Sequence, residues 1–217
     1  MPRTSEEEAL TQQLLDGVRR FRTAAYPPRK ERFEALASGQ SPNTLFVTCS
    51  DSRIDPSLIT QTEPGELFVI RNAGNLIPAC GVESSGGEAA TLEYAVVVLG
   101  VKDIVVCGHS HCGAMAALLA PDTLDALPEV RSWLGHAEST LEKVRAAGEG
   151  ADAVRLNVVA QLENLRSYPF VREREERGEL ALHGWVYVFE RGDILALGRD
   201  GAFAPLLSGT SSPGVQV

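Results

Sequence analysis

The sequence contains two short apolar runs, each followed directly by polar residues that include potential metal ligands. These runs restrict the folds that the chain can adopt more than any other feature does. The runs are residues 44–48 (TLFVT) and residues 103–107 (DIVVC). Short runs that are apolar along their length are typical of strands buried on both faces of a parallel sheet. The polar residues that follow the two runs are Cys49, Asp51, Arg53, His109 and Cys112.

The rest of the chain alternates between strand-like and helix-like segments. Further strands are predicted at residues 67–71, 180–190 and 194–197, and helices at residues 29–37, 88–99, 113–119, 128–147, 151–166 and 171–177. Strands that alternate with helices are typical of α/β folds with a largely parallel sheet. We therefore predict an α/β fold in which helices flank a mostly parallel central β-sheet.

The N-terminal segment is predicted to be a separate helical arm. Apolar residues recur in it at helical spacing, and Pro27 and Pro28 end the helix. Such an arm packs either on its own domain or across a neighbouring subunit. We expect residues 1–28 to form the arm, residues 29–207 a single α/β domain, and the Ser/Gly/Pro-rich residues 208–217 a mobile tail.

Composition excludes several classes of partner. The chain has 20 basic and 29 acidic residues, and its net charge of −9 disfavours binding to nucleic acid. No apolar run approaches the roughly 18 residues of a membrane span, so we expect no membrane partner. The polar N-terminus does not resemble a secretory signal, and we expect a cytoplasmic location. In that reducing compartment, the four cysteines are expected to be core residues, metal ligands or reactive thiols rather than disulfides.

Parallel strands present their carboxyl ends at one edge of the sheet, where ligand sites lie. If the two apolar runs are neighbouring strands, Cys49, His109 and Cys112 converge there. Two thiolates and one imidazole suit zinc, and three protein ligands leave the open position of a catalytic site. Plainer readings remain open at this point. Each cysteine could be a small buried hydrophobe, and Asp51 and Arg53 could form an ordinary surface ion pair.

Four segments together resemble the β-class carbonic anhydrases, and most closely their plant and cyanobacterial branch. These are residues 49–53 (CSDSR), 63–75 (EPGELFVIRNAGN), 108–113 (GHSHCG) and 182–187 (LHGWVY). The resemblance implies one Zn²⁺ per chain on Cys49, His109 and Cys112, with water or hydroxide in the fourth position. It implies the reversible hydration of carbon dioxide to bicarbonate and a proton by attack of the zinc-bound hydroxide. Asp51 and Arg53 are implied to be a dyad that orients the zinc-bound water.

The same resemblance implies a substrate pocket and an oligomer. The implied pocket residues are Gln40, Phe68, Ala73, Tyr94 and Gly113, some of them supplied by the partner subunit. The implied assembly is a homodimer with exchanged N-terminal helices, or a homotetramer.

Three other functions remain open from the sequence. The same fold could hydrolyse carbonyl sulfide or carbon disulfide, or it could be a zinc-bound scaffold without catalysis. Cys49 and Cys112 could instead serve thiol redox chemistry, although no C-x-x-C motif supports this. The presence of both Asp51 and Arg53 argues against the scaffold.

Overall fold

The contacts within the chain divide it into two compact units, Met1–Gln40 and Ser41–Val217. The computed structural model describes residues 5–82 and 86–207, so the predicted tail at residues 208–217 lies outside the described residues. Among the described residues, no helix is both long enough and apolar enough to cross a membrane.

The first unit is helical. Helix α1 (Ser5–Arg20) continues through a wide π-helical turn (Phe21–Ala25) and a 3₁₀ turn (Pro27–Arg29) into α2 (Lys30–Leu36). The arm helix was predicted to end at Pro27 and Pro28, and these residues begin the 3₁₀ turn. A proline lacks the backbone N–H that a helix interior requires. Contacts group α2 with the arm, whereas the predicted boundary at residue 28 assigned it to the α/β domain.

The second unit contains a six-stranded mixed sheet in the order β2-β1-β3-β4-β5-β6. The strands are β1 (Thr44–Cys49), β2 (Leu67–Asn72), β3 (Asp103–His109), β4 (Ala181–Val188), β5 (Asp193–Leu197) and β6 (Phe203–Pro205). The first four in this order are parallel, and β5 and β6 add antiparallel at one edge. The predicted α/β fold is confirmed, and the three-residue β6 was not predicted because so short a strand has no periodicity to detect.

Seven helices connect or cover these strands in the described part of the second unit. They are α3 (Pro56–Thr60), α4 (Gly86–Glu93), α5 (Gly113–Leu119), α6 (Pro128–Leu134), α7 (Glu138–Ala147), α8 (Ala153–Arg166) and α9 (Pro169–Glu176). The single helix predicted at residues 128–147 is interrupted by a 3₁₀ turn at Gly135–Ala137. The helix predicted at residues 88–99 begins at Gly86 and ends as a π-helical turn, Tyr94–Leu99.

Hydrophobic cores lie on both faces of the sheet. Leu45 and Val47 belong to one core, whereas Phe46 belongs to the other, as the alternation of side chains along a strand requires. Helix α8 packs closely on β4, since a Cβ added at Gly184 would lie 2.9 Å from Cγ1 of Val158. The glycine therefore permits a close approach that a larger residue would prevent.

Strand register brings the predicted site residues together. In the β1–β3 ladder Thr48 is opposite Cys107, which places the next residue, Cys49, beside Gly108 and His109. On the other side of β1, Cys49 is opposite Asn72 of β2. The carboxyl ends of three neighbouring parallel strands thus form one edge, as predicted from the sequence.

Candidate metal centre

Cys49, His109 and Cys112 form a buried cluster at this edge. Each offers one ligand atom, and the three atoms lie within 4.8 Å of one another. Cys49 ends β1, His109 ends β3, and Cys112 is the extended residue that precedes α5. The geometry therefore brings together the three residues predicted as metal ligands.

The ring of His109 is oriented by its neighbours. Its Nδ1 lies 2.8 Å from the carbonyl oxygen of Ser110, to which it donates, and its ring stacks on Phe189 at 4.9 Å between centroids. The other ring nitrogen, Nε2, is buried and makes no hydrogen bond to the described residues. An imidazole whose Nδ1 is held by a carbonyl while its Nε2 stays free is the usual arrangement of a metal-binding histidine.

The backbone approaches the sulfur of Cys49 closely. The N–H of Gly74 donates to Cys49 Sγ at 3.5 Å. Gly74 has a φ of +85°, and a Cβ there would lie 3.2 Å from Cβ of Ala114. A side chain at position 74 would therefore be both strained and crowded, and glycine allows the amide to face the sulfur.

The two clustered thiols share a proton unequally. A hydrogen bond from Cys112 lowers the pKa of Cys49 to about 4 against the opposing effect of burial. The same hydrogen bond, with burial, raises the pKa of Cys112. Burial raises the pKa of Cys107, outside the cluster, to about 12, so this thiol is an inert core residue.

The residues of the cluster fit a zinc ion. Two sulfurs and one imidazole nitrogen are the donors that zinc prefers, and Nε2 of His109 is a buried polar atom that a metal would satisfy. Burial opposes protonation of His109, but the Cys49 sulfur and the Ser110 carbonyl outweigh it and raise the pKa of the imidazole. A metal would displace that proton, as it would the one shared by the cysteines.

Asp51 and Arg53 form a tight pair beside the cluster. Arg53 donates from Nε to Oδ1 of Asp51 at 2.9 Å and from Nη2 to Oδ2 at 2.7 Å. These bonds hold the pKa of Asp51 well below its usual range, so the group is a carboxylate at neutral pH. Oδ2 of Asp51 lies 3.9 Å from Nε2 of His109, which places the carboxylate next to the free ring nitrogen.

Arg53 also contacts residues that follow the ends of β3 and β4. Its guanidinium lies 4.7 Å from the ring centroid of Phe189, and its Nη2 donates to the carbonyl of His111 at 3.1 Å. His111 has a φ of +54°, and its ring contacts Glu190. Phe189 and Glu190 were not predicted as site residues. Their positions follow from the β3–β4 register, which places Tyr187 opposite His109.

The residues predicted to bind substrate fall into three groups. Gly113 follows Cys112 of the cluster, and Ala73 precedes Gly74, whose N–H donates to Cys49. Phe68 and Tyr94 contact each other at 6.0 Å, but Phe68 is opposite Leu45, four residues before Cys49 and so about 13 Å along the strand. Gln40 belongs to the first unit.

The fold and the cluster define an α/β protein with a Cys₂His metal-binding group at the carboxyl ends of parallel strands. A family model described as "Carbonic anhydrase" matches residues 44–194. A carbonic anhydrase of Pseudomonas aeruginosa is 51% identical over 209 residues, which cover 94% of this chain and 94% of that protein.

Solved structures agree with the sequence comparison. The structure of the β-carbonic anhydrase CcaA has a TM-score of 0.85 and 46% identity, covering 90% of this chain and 98% of that one. One of two tetrameric β-carbonic anhydrases from Sordaria macrospora has a TM-score of 0.68 and 30% identity, covering 89% and 97%. The chain belongs to the carbonic anhydrase family, in its β class, which confirms the predicted enzyme class.

Proposed function

We propose that this chain binds one Zn²⁺ through Cys49, His109 and Cys112 and uses it to hydrate carbon dioxide reversibly to bicarbonate and a proton. The observation that carries the proposal is the buried cluster of two sulfurs and one unpartnered imidazole nitrogen, within 4.8 Å of one another, in a member of this family. Zinc, when bound, lowers the pKa of a water molecule and so supplies a nucleophile at neutral pH.

Asp51 and Arg53 act as the dyad of the reaction in this proposal. Arg53 uses two parallel hydrogen bonds, which fix both the charge and the orientation of the carboxylate. The ionised Asp51 accepts a hydrogen bond from the attacking water and keeps its lone pair aimed at the substrate. A carboxylate that is already ionised and held in place needs no rearrangement during the reaction.

Carbon dioxide binds, we propose, in an apolar pocket next to this edge of the sheet. Ala73 and Gly113 line it from the same chain, because each adjoins a residue of the cluster or its immediate contact. Phe68 lies about 13 Å along the sheet from the cluster of its own chain, and Tyr94, which contacts Phe68, is exposed. These two residues, with Gln40, are proposed to complete the pocket of a partner subunit.

A homodimer or homotetramer follows from the same argument. Along α1, an apolar groove is lined by Leu14, Val18 and Phe21, which are exposed. An exposed stripe of this kind is a typical contact surface between subunits. We propose that the arm packs on the partner subunit.

We also propose a cytoplasmic location. The four cysteines are free, as a reducing compartment would keep them, which supports this proposal.

Stopped-flow measurement of carbon dioxide hydration, on protein whose zinc content is counted, tests the proposed function. The wild type is expected to hold one zinc per chain and to turn over rapidly. Cys49→Ser is expected to lose both zinc and activity, because the remaining ligands bind zinc weakly. Cys80→Ser is the matched control, since Cys80 is an exposed thiol outside the cluster, and it should retain both.

Two results would contradict the proposal. One zinc per chain without hydration would exclude this reaction, and assays with carbonyl sulfide and carbon disulfide would then test the alternative chemistry. Absence of zinc from protein purified without chelators would exclude the metal site and favour thiol chemistry at Cys49 and Cys112.

A further inference from the structure

The segment that carries the site, residues 49–54, has no regular secondary structure beyond its first residue. It connects β1 to the residues before α3, and it contains Cys49, Asp51 and Arg53. Its backbone makes two hydrogen bonds. The N–H of Ser50 donates to the carbonyl of Asn72, and the N–H of Ile54 donates to the carbonyl of Asp51 within the segment. Such a segment needs further contacts to hold a sulfur and a carboxylate in fixed directions.

Arg71 of the neighbouring strand β2 supplies such contacts. Its Nε donates to the carbonyl of Cys49 at 3.1 Å, and its Nη2 donates to the carbonyls of Asp51 and Ile54 at 2.8 and 2.9 Å. One guanidinium thus spans the segment from its first residue to its last. The planar fork of arginine can reach several acceptors at once, which the single ammonium of lysine cannot do.

We propose that Arg71 is a positioning residue of the metal site, which fixes the backbone of residues 49–54 and thereby aims the sulfur of Cys49 and the carboxylate of Asp51. The hydrogen bonds of its guanidinium to this segment go to backbone carbonyls, so it acts through the segment that both groups share. The proposal rests on the proposed function for the identity of the metal and of the reaction.

The position of Arg71 separates this role from a general role in folding. Arg71 is exposed, on an edge strand; its bond to Asp51 lies at the surface, and its bonds to Cys49 and Ile54 are part-buried. If the side chain loses its donors, water can solvate the carbonyl of Asp51, and no cavity opens in either core because Arg71 belongs to neither. The site should therefore lose order while the global stability of the chain changes little.

Zinc release from the loaded protein tests the proposal without reference to activity. Arg71→Met keeps the length of the side chain and removes its donors, and Arg71→Lys keeps the charge and loses the fork. Arg177→Met is the control, because Arg177 is exposed and pairs with Glu179 near the end of α9. The rate of zinc transfer to a chromogenic chelator, thermal unfolding, kcat and KM are measured for all three variants and the wild type.

Arg71→Met is expected to release zinc about 10- to 100-fold faster than the wild type, the usual effect of losing support behind a metal ligand. Its kcat is expected to fall by a similar factor with KM within about twofold, because a misdirected carboxylate impairs the reaction more than substrate entry. Arg71→Lys is expected to lie between Arg71→Met and the wild type, and Arg177→Met to match the wild type.

Zinc release and kcat in Arg71→Met within twofold of Arg177→Met would overturn the proposal. A rise in KM alone would also overturn it, because that result assigns Arg71 to substrate binding. If Arg71→Met does not fold, wild-type release and kcat in Arg71→Lys would overturn it equally. A wild type that binds zinc but does not hydrate carbon dioxide would refute the proposed function, while the zinc-release ratio would still decide the role of Arg71.

Discussion

At the scale of single residues, the site depends on how neighbouring groups share charge. Cys112 donates its hydrogen to Cys49, Ser110 accepts from His109, and Arg53 pairs with Asp51. These contacts leave a thiolate at Cys49 and a carboxylate at Asp51, and they hold Nε2 of His109 in the cluster, where a metal would replace its proton. Removing the charge of a single group should therefore impair the reaction without unfolding the chain.

Asp51→Asn tests the role of the carboxylate. We expect hydration to fall about 10²- to 10⁴-fold, the usual contribution of a positioned proton acceptor, with zinc content unchanged. Stopped-flow kinetics and metal analysis check both parts. Asp125→Asn is the control, because Asp125 forms an exposed ion pair with Arg131 outside the site. Loss of zinc together with activity would show instead that Asp51 supports metal binding.

The pH dependence of the rate should have a single limb that rises towards alkaline pH. Arg53 lowers the pKa of Asp51, so this group is ionised at every pH from mildly acidic upwards and adds no limb of its own. The two thiolates offset the charge of the metal, so the activated water should lose its proton at a higher pH than with three histidines. A kcat profile measured from pH 6 to pH 9 checks this, and a flat profile would be inconsistent with it.

At the scale of elements, helix α8 holds the loop that approaches Cys49. Asn157 of α8 donates to the carbonyl of Gly74 at 2.9 Å and accepts from Thr140 of α7. Gln161, one turn later, accepts from the N–H of Ile77. These polar side chains are buried and paired, so α8 orders the loop as well as filling the core.

Asn157→Leu should destabilise the chain by about 3 kcal/mol, because it leaves the carbonyl of Gly74 and the hydroxyl of Thr140 buried without this partner. Urea unfolding of the metal-free protein measures the change. Glu163→Ala on the same helix removes an exposed ion pair with Lys143 and should cost less than about 1 kcal/mol. Equal losses in the two variants would show that the buried hydrogen bonds of Asn157 are not important for stability.

The strands and helices also show which features could be predicted from the sequence. Uniformly apolar β1 and β3 were predictable, and so was the meeting of Cys49, His109 and Cys112, because parallel strands end at one edge. The contacts of Phe189, Arg71 and Asn157 were not predictable. They depend on register and on the placement of α8, which no local pattern encodes.

At the scale of the whole molecule, the shared pocket that we propose would make a partner subunit necessary for catalysis. Leu14→Glu with Val18→Glu places two charges in the apolar groove of α1 and should weaken self-association. In sedimentation velocity at micromolar concentration, the wild type is expected to be a dimer or a tetramer and the double variant a smaller species. Its hydration rate per chain should fall, since Phe68 and Tyr94 would no longer reach a neighbouring site. Arg22→Glu, outside the groove, is the control. Full activity in a monomeric double variant would contradict the shared pocket.

The proposed function depends on a zinc ion held by two cysteines and one histidine with one position left open. X-ray absorption at the zinc edge, recorded on protein that hydrates carbon dioxide, measures this ligand set. We expect two sulfur atoms at about 2.3 Å from the zinc and two nitrogen or oxygen atoms at about 2.0–2.1 Å. In Cys112→Ser, one of the sulfur contributions should be lost. A spectrum with fewer than two sulfur atoms in the active wild type, or one unchanged in Cys112→Ser, would exclude the proposed zinc site.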